Sequence, residues 1–565
     1  MNVEIPGTLL ILGYKEIFGE DPPNQSGRIA LINGIDKDAI LHELASLNLR
    51  QLPPLSFSIN DEEPFQMKML HHLSGANEYT KKPYIQAYDK TAIELRDKGL
   101  PVFFNRPATL FAIQEIISQY NPITVTKDHL GQEEFARILK YYACVNSVLA
   151  EYRKSEEASN LTGIERLTSA SVFINELMVV TNPFQIFDRY VELISWIRQD
   201  PVLRNELQLY FESIGFTPEQ LVLHISGIYI NNVAQNISDE YTYLYHLPES
   251  GEERTISESI FNFLSRRGLV VSSHTMEISE IKKSPVYFDK GKGCYLLLDS
   301  LLLAEKLYES FINDFWFDHM KGKLNIAEYR GYIGRYFEEY CFKVLQGGFI
   351  NKSEYLLKSG KELIIETPNG QIELADGLLL KDSNVCLFEF KSSGVYTDQK
   401  QSTELSLYRS NPEQFYESFG ISQLANGIIN LRDRPGVFKV NLEHKEKINV
   451  FPILVVNEKV AMNPYLIGIL NDKLREFLKG NSLGNLTIFY LTVFHVSDLE
   501  SLCSGIDRTP YSIFEVCNIN SFGAIFPRPV GVTMNRLGIK NKNKMIYPKF
   551  AGYKNDPSKP AHTSL

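Results

Sequence analysis

The sequence predicts a multidomain chain in which a largely α-helical N-terminal region is followed by an α/β domain with a mixed central sheet. Three observations predict it. The chain has 565 residues, enough for roughly three to four structural units at ordinary domain sizes. Between about 85 and 230, apolar residues recur at helical spacing and the runs are bounded by capping residues. After Asn325 the pattern becomes one long helix, then short apolar runs separated by turn residues, then alternating helix and strand, the order of a mixed α/β layer.

Composition narrows the function classes. Apolar residues make up 44% and charged residues 22%, ordinary globular values that exclude a disordered scaffold. The formal charge of −10 with a pI near 5.7 excludes a global positive field, so any nucleic-acid contact must be local. The six cysteines, Cys144, Cys294, Cys341, Cys386, Cys503 and Cys517, show no CxxC pairing. They predict reduced thiols in a cytoplasm rather than a zinc site or disulfide framework. Met1 to Tyr14 has no basic segment before its apolar patch and does not read as a signal peptide. The richest apolar stretch, Leu486 to Val496, is about half of what spans a bilayer, so no membrane partner is expected. Neither GxxxxGKS/T nor GxGxxG occurs, so no nucleotide cofactor is expected and an ATPase is disfavoured. His71 and His72 lack ligand spacing and read as structural or surface residues.

Residues 1–84 mix short apolar runs with Pro22, Pro23, Pro53 and Pro54 and give no definite fold. Residues 85–245 read as a helical domain: Asn182 precedes Pro183 to Arg198, Asp200 and Pro201 open the next helix, and Thr217-Pro218-Glu219 a third. His246 to Ser257 is polar and turn-rich and reads as a linker. Residues 258–319 read as a small connecting α+β segment. In it, Ile260 to Glu277 gives a helix, a turn at Arg266-Arg267-Gly268 and a strand, either a winged-helix-like element or a plain structural unit.

Residues 320–510 read as the α/β domain. Ile326 to Gln346 is an amphipathic helix stopped by Gly347-Gly348. Strands follow at Glu362 to Glu366, Gln371 to Leu380 and Val385 to Ser392. Pro368-Asn369-Gly370 joins the first two, a strong hairpin signal, and Lys381 to Asn384 the second two, giving an antiparallel meander. Then come a helix at about Glu413 to Leu431, a strand Asn449 to Val456, a helix Pro464 to Lys479 and a strand Leu486 to His495. Residues 511–565 read as a basic tail, in which from about Pro527 Arg528, Arg536, Lys540, Lys542, Lys544, Lys549, Lys554 and Lys559 stand against the single acid Asp556. It is either a nucleic-acid contact, with Phe526, Tyr547, Phe550 and Tyr553 to stack on bases, or a solvated terminus.

One constellation carries chemistry. On the strand from Val385, alternation puts Val385, Leu387, Glu389 and Lys391 on one face. A carboxylate and an ammonium closing an otherwise apolar strand are costly to bury unless paired or metal-bound. The hairpin near Asp382 brings Asp376 to the level of Glu389. Two carboxylates and a substrate phosphate suffice to hold Mg²⁺, and Lys391 is placed to serve a water or the phosphate charge. Glu338 borders the buried stripe of the preceding helix, set by Phe337, Tyr340 and Cys341. Glu339 and Glu373 are second choices. Glu280-Ile281-Lys282, Glu443-His444-Lys445 and Asp398-Gln399-Lys400 have the same spacing, but none closes an apolar strand.

Gly334 to Glu338, Asp376 and Glu389-Phe390-Lys391 resemble the PD-(D/E)XK nuclease superfamily, over about 320–460. The family places an acid at the end of a Gly-x-x-Phe-Glu helix, then an Asp, then an acid-x-Lys strand. Ala375 stands where the family often has proline. The resemblance implies a restriction-endonuclease-like core of helix, three strands, helix and strand. It further implies a Mg²⁺- or Mn²⁺-dependent hydrolase of DNA phosphodiester bonds, with Glu338, Asp376 and Glu389 holding the metal, Lys391 serving the water, and Gln423 in support. By the same analogy the enzyme belongs to prokaryotic defence against phage or mobile DNA, with its N-terminal region regulating access and a protein partner or second copy assisting. The alternatives are a nuclease-like domain that binds DNA or scaffolds without cutting, and an RNA-directed nuclease.

Overall fold

A computed structural model describes residues 8–51, 62–73, 77–95, 99–121, 130–152, 182–236, 243–265, 278–367, 370–392, 412–438, 446–521 and 529–539. Contacts divide the chain into two units, one of residues 1–159 with 197–319 and one of 160–196 with 320–565. Residues 1–84 and 85–159 thus share a unit, and most of the helix Pro183–Gln199 goes with the C-terminal part.

The first unit is built mainly of helices. Helix Arg106–Gln119 is buried from Arg106 through Ile116, so its charged groups must be paired inside. Arg106 Nε meets Asp299 at 2.7 Å, and Glu115 pairs with Arg28. Leu244–Tyr245, Cys294–Leu297 and Val286–Asp289 form a three-stranded antiparallel sheet. The predicted linker is therefore shorter than expected. Helix Glu252–Ser265 begins inside it, with Glu252 and Glu253 in the first turn, where the helix dipole favours negative charge, and with Ser257 buried. The predicted Arg266-Arg267-Gly268 turn lies outside the described residues.

The second unit holds a six-stranded mixed sheet with helices on both faces. Its elements are α1 (Pro183–Gln199), α2 (Ile326–Phe349), β1 (Leu356–Ser359), β2 (Ile364–Thr367), β3 (Gly370–Glu373), β4 (Gly377–Lys381), β5 (Asn384–Lys391), α3 (Pro412–Ser418), α4 (Ile421–Asp433), β6 (Ile448–Val456), α5 (Pro464–Leu478), β7 (Leu486–Ile488), β8 (Thr492–His495), α6 (Val496–Gly505), α7 (Ile513–Ser521) and α8 (Val530–Arg536). The strand order is β7-β6-β5-β4-β1, with β8 also on β6. β1, β4 and β5 pair antiparallel in succession, and β6 runs parallel to β5, β7 and β8.

Four expectations are corrected. The predicted strand Gln371 to Leu380 is two: β3 pairs with β2 in a separate hairpin, and only β4 enters the main sheet. Its antiparallel partner on the far side is β1, which the sequence reading missed. The chain folds back through Gly360, whose N–H donates to the Asp376 carbonyl at 2.8 Å, and Leu374 N–H donates to Leu363 O at 3.2 Å. Likewise Leu486 to His495 splits into β7 and β8, and Glu413 to Leu431 into α3 and α4 at Phe419-Gly420. The basic tail starts later than position 511: α7 and α8 bury Ile513, Cys517, Val530 and Met534, while residues 540–565 lie outside the described part.

Val385, Leu387, Val450 and Leu454 pack into one core with Phe415, Phe419, Leu424, Ile428, Leu466 and Leu470 of α3 to α5. The alternating partners Cys386, Phe388 and Phe390 are equally buried, on the face that α2 covers. Helix α4 seats tightly: a Cβ on Gly427 would stand 2.6 Å from the Leu374 carbonyl oxygen. Gly427→Ala is therefore expected to destabilise the unit by about 1–3 kcal/mol, read as a lower denaturant midpoint; an unchanged midpoint would mean that this contact has slack.

Candidate active site

The turn between β4 and β5 sets the register of the candidate site. Asp382 takes a left-handed φ of 57°, which Asp tolerates, so that Lys381 pairs with Asn384 and Gly377 with Phe388. Asp376 then stands at the level of Glu389. Its N–H donates to the Phe388 carbonyl at 3.1 Å. Its Oδ2 accepts from Phe390 N–H at 2.6 Å, taking over the ladder position of a main-chain carbonyl. The second carboxylate oxygen takes no hydrogen bond from the described residues.

Glu389 follows Leu387 on the face that α3 to α5 cover, and is 2% exposed. Lys391 Nζ lies 2.5 Å from its Oε1, and no other donor among the described residues reaches that oxygen. Helix α2 contributes Glu338 from the border of its buried stripe, beside fully buried Phe337 and Cys341. Gly334, one turn earlier, would bring a Cβ within 3.9 Å of Ser392 Oγ, so α2 passes the end of β5. Glu339 points elsewhere, to Trp196 Nε1 at 2.9 Å and Lys361 Nζ at 3.4 Å. Glu373, at the exposed end of β3, also feels Asp376 and Lys391.

The electrostatics mark the group as one cluster. Burial first, then Asp376, pushes the Glu389 carboxyl up to about 8, with Lys391 opposing. Burial and then Asp376 push Glu338 up to about 7. Burial raises Asp376, against the pull of Lys391 and the Phe390 hydrogen bond. Burial lowers the Lys391 ammonium, but Glu389 and Asp376 overcome it and hold its pKa above the usual value. Buried, mutually repelling carboxylates next to one fixed cation are a configuration found at functional sites.

Sequence reasoning missed Gly420. It precedes α4 with φ +66°, and a Cβ there would meet Lys391 Cε at 2.6 Å and Glu389 Cγ and Oε1 at 2.7 Å. The backbone thus lies directly on the ion pair, and only glycine fits both the conformation and the space. A glycine inside a helical pattern was the available signal. Gln423 is exposed in the first turn of α4 and makes no hydrogen bond to the four charged residues.

Among the described residues, no three His, Cys, Asp or Glu side chains already converge as a metal cage; Glu389 is instead closed onto Lys391. The donor set still fits a small divalent cation. It offers hard carboxylate oxygens whose charge the protein leaves unmet, with Glu389 Oε1 shielded from solvent. Compared with known proteins, the chain matches no protein family, no curated protein and no solved structure.

A carboxyl with a raised folded-state pKa binds its proton more tightly folded than unfolded. Its stabilisation is complete below the unfolded value, roughly 4.3, and is lost as pH rises through the folded value. For Glu338 and Glu389 that window ends near 7 and 8. Metal-free protein is expected to melt at a lower temperature at pH 8 than at pH 6, and Glu389→Gln to reduce the difference by about 2–4 °C. Equal pH dependence in both proteins would show that Glu389 ionises without strain.

Proposed function

We propose that the second unit is a metal-dependent nuclease of the PD-(D/E)XK kind that hydrolyses phosphodiester bonds in DNA. The observation that carries the reading is the convergence of Asp376, Glu389 and Lys391 at one end of an otherwise apolar strand, with Glu338 coupled to them electrostatically from α2. The element order supports it: α2, the antiparallel strands β1, β4 and β5, then α4 and the parallel strand β6 follow the helix, three strands, helix and strand of that superfamily. No helix among the described residues is long and apolar enough to cross a membrane.

Glu338, Asp376 and Glu389 would hold Mg²⁺ or Mn²⁺, which supplies charge neutralisation at the phosphate and acidifies a bound water. The chain supplies the rest. Asp376 is held by Phe390 N–H so that its second oxygen keeps a fixed direction. Lys391 is held charged by two acids and is placed to orient the attacking water or to stabilise the charge that builds on the phosphate. Gly420 lets the backbone that opens α4 lie against the pair. The reading extends to a role in defence against foreign DNA, with the first unit controlling access.

Cleavage of plasmid, linear DNA and RNA with Mg²⁺ or Mn²⁺ tests this, with EDTA as control. Glu389→Ala, Asp376→Ala and Lys391→Ala are each expected to lower the rate at least about a hundredfold. Because the carboxyls must lose protons to take the metal, the rate of the wild type is expected to rise between pH 6 and 8. RNA cut in preference to DNA reassigns the substrate. A chain that binds DNA tightly yet leaves it whole with either metal is a scaffold, and the nuclease reading falls.

A further inference from the structure

Helix α2 turns one face to solvent whose make-up its own packing does not explain. The buried stripe of α2 includes Tyr329, Ile333, Tyr336, Phe337, Tyr340 and Cys341, which leaves Arg330, Gly331 and Arg335 exposed and Gly334 and Glu338 half-buried. Glycine inside a helix is destabilising, and is kept where a left-handed conformation, tight packing or a close ligand requires it. Gly334 has a packing neighbour, Ser392 Oγ, within 3.9 Å of its Cβ position. Gly331 is plainly helical, and a Cβ on it would meet no atom of the described residues within 4 Å. The bare surface there leaves room for a partner's backbone.

Arg335 is the charged group beside that surface. It stands four residues after Gly331 and three before Glu338, spacings that make neighbours on a helix. Its guanidinium lies over the Tyr332 ring, 4.6 Å from the centroid. That contact uses the flat face of the guanidinium and leaves its N–H edge open. It also draws the cation one turn back along α2, away from Glu338. The ordinary partner for that edge is an acid four residues on, but Glu339 is turned to Trp196 Nε1 at 2.9 Å and Lys361 Nζ at 3.4 Å. Glu328 closes the helix cap on Asn325. Among the described residues Arg335 therefore makes no hydrogen bond and no ion pair.

An exposed guanidinium edge held by a stacked ring matches the oxygens of a phosphate. In a chain of net charge −10, attraction to nucleic acid has to come from such local groups. Tyr332, which carries the guanidinium, lies six residues or about 9 Å of helix axis from Glu338. Phosphates of a strand advance about 3.4 Å each along a duplex axis. A strand with one phosphate at the acidic cluster and its path along α2 thus brings another, about two or three nucleotides away, to Arg335.

We propose that Arg335 binds a backbone phosphate of the substrate strand that flanks the bond to be cut, while the strand crosses α2 over Gly331. The inference rests on the nuclease reading for the place of the cut, and its own test is binding without cutting.

That test is fluorescence anisotropy of the full chain in EDTA with labelled duplex DNA, single-stranded DNA and RNA over a series of salt concentrations. Wild type is expected to bind at least one of the three. Arg335→Ala is expected to weaken that binding about five- to tenfold for every sequence tried, and to lower the slope of log affinity against log salt by about one, as loss of one phosphate contact does. Arg335→Lys, which keeps the charge, is expected to restore the slope. Gly331→Gln is expected to melt no lower than wild type, since the position is open and helical, and yet to bind less tightly. In cleavage with Mg²⁺, Arg335→Ala is expected to lose kcat/KM chiefly through KM. If wild type cuts while folded Arg335→Ala binds with unchanged affinity and slope, the inference falls and the nuclease reading stands. If binding shows the Arg335-dependent slope and nothing is cut, the phosphate contact stands and the nuclease reading falls. Failure to bind any of the three polymers overturns the inference.

Discussion

A carboxylate at the end of an apolar strand, buried to 2% exposure, faces a desolvation cost of several kcal/mol unless its neighbours answer its charge. The second unit is arranged around that constraint. Lys391, two residues on along the same face, closes onto Glu389. Asp376 is turned into the cluster because its side chain, and not a main-chain carbonyl, takes the Phe390 N–H. That substitution ends the β4–β5 ladder at Gly377 and sends the chain out into the β2–β3 hairpin. Helix α4 can come down on the pair only because residue 420 has no side chain. The protein therefore holds together three acids that repel one another, and their raised proton affinities measure how incompletely one lysine satisfies them.

What the sequence made legible follows from periodicity and cost. Alternation from Val385 to Lys391 gave the face of each side chain, and the anomaly of Glu389 and Lys391 on that strand marked the cluster. The Asp382 turn fixed a short-range register, so the level of Asp376 could be read. What escaped was decided by distant contacts. Nothing local in Leu374-Ala375-Asp376 announces a break; the break depends on Gly360 and Phe390 offering hydrogen bonds from elsewhere in the chain. β1 is only four residues long, with Leu356 exposed and the rest half-buried, too little pattern to declare a strand. Glu338 and Glu339 are indistinguishable as composition, and only packing separates one facing Asp376 from one bonded to Trp196.

The parallel pairing of β5 with β6 has a consequence for how the chain is made. β4 and β5 meet through a two-residue turn, whereas β6 starts only at Ile448, so the hairpin forms from local contacts long before its parallel neighbour exists. During synthesis, which proceeds from the N-terminus, β5 is for a time the bare edge of a three-stranded sheet, with its apolar backbone open to pairing with another chain. The charged residues that later organise the cluster then serve another purpose: an acid and a lysine on that edge discourage intermolecular strand addition until β6 arrives. Glu389 and Lys391 are in this sense guardians of the nascent chain before they are members of any site.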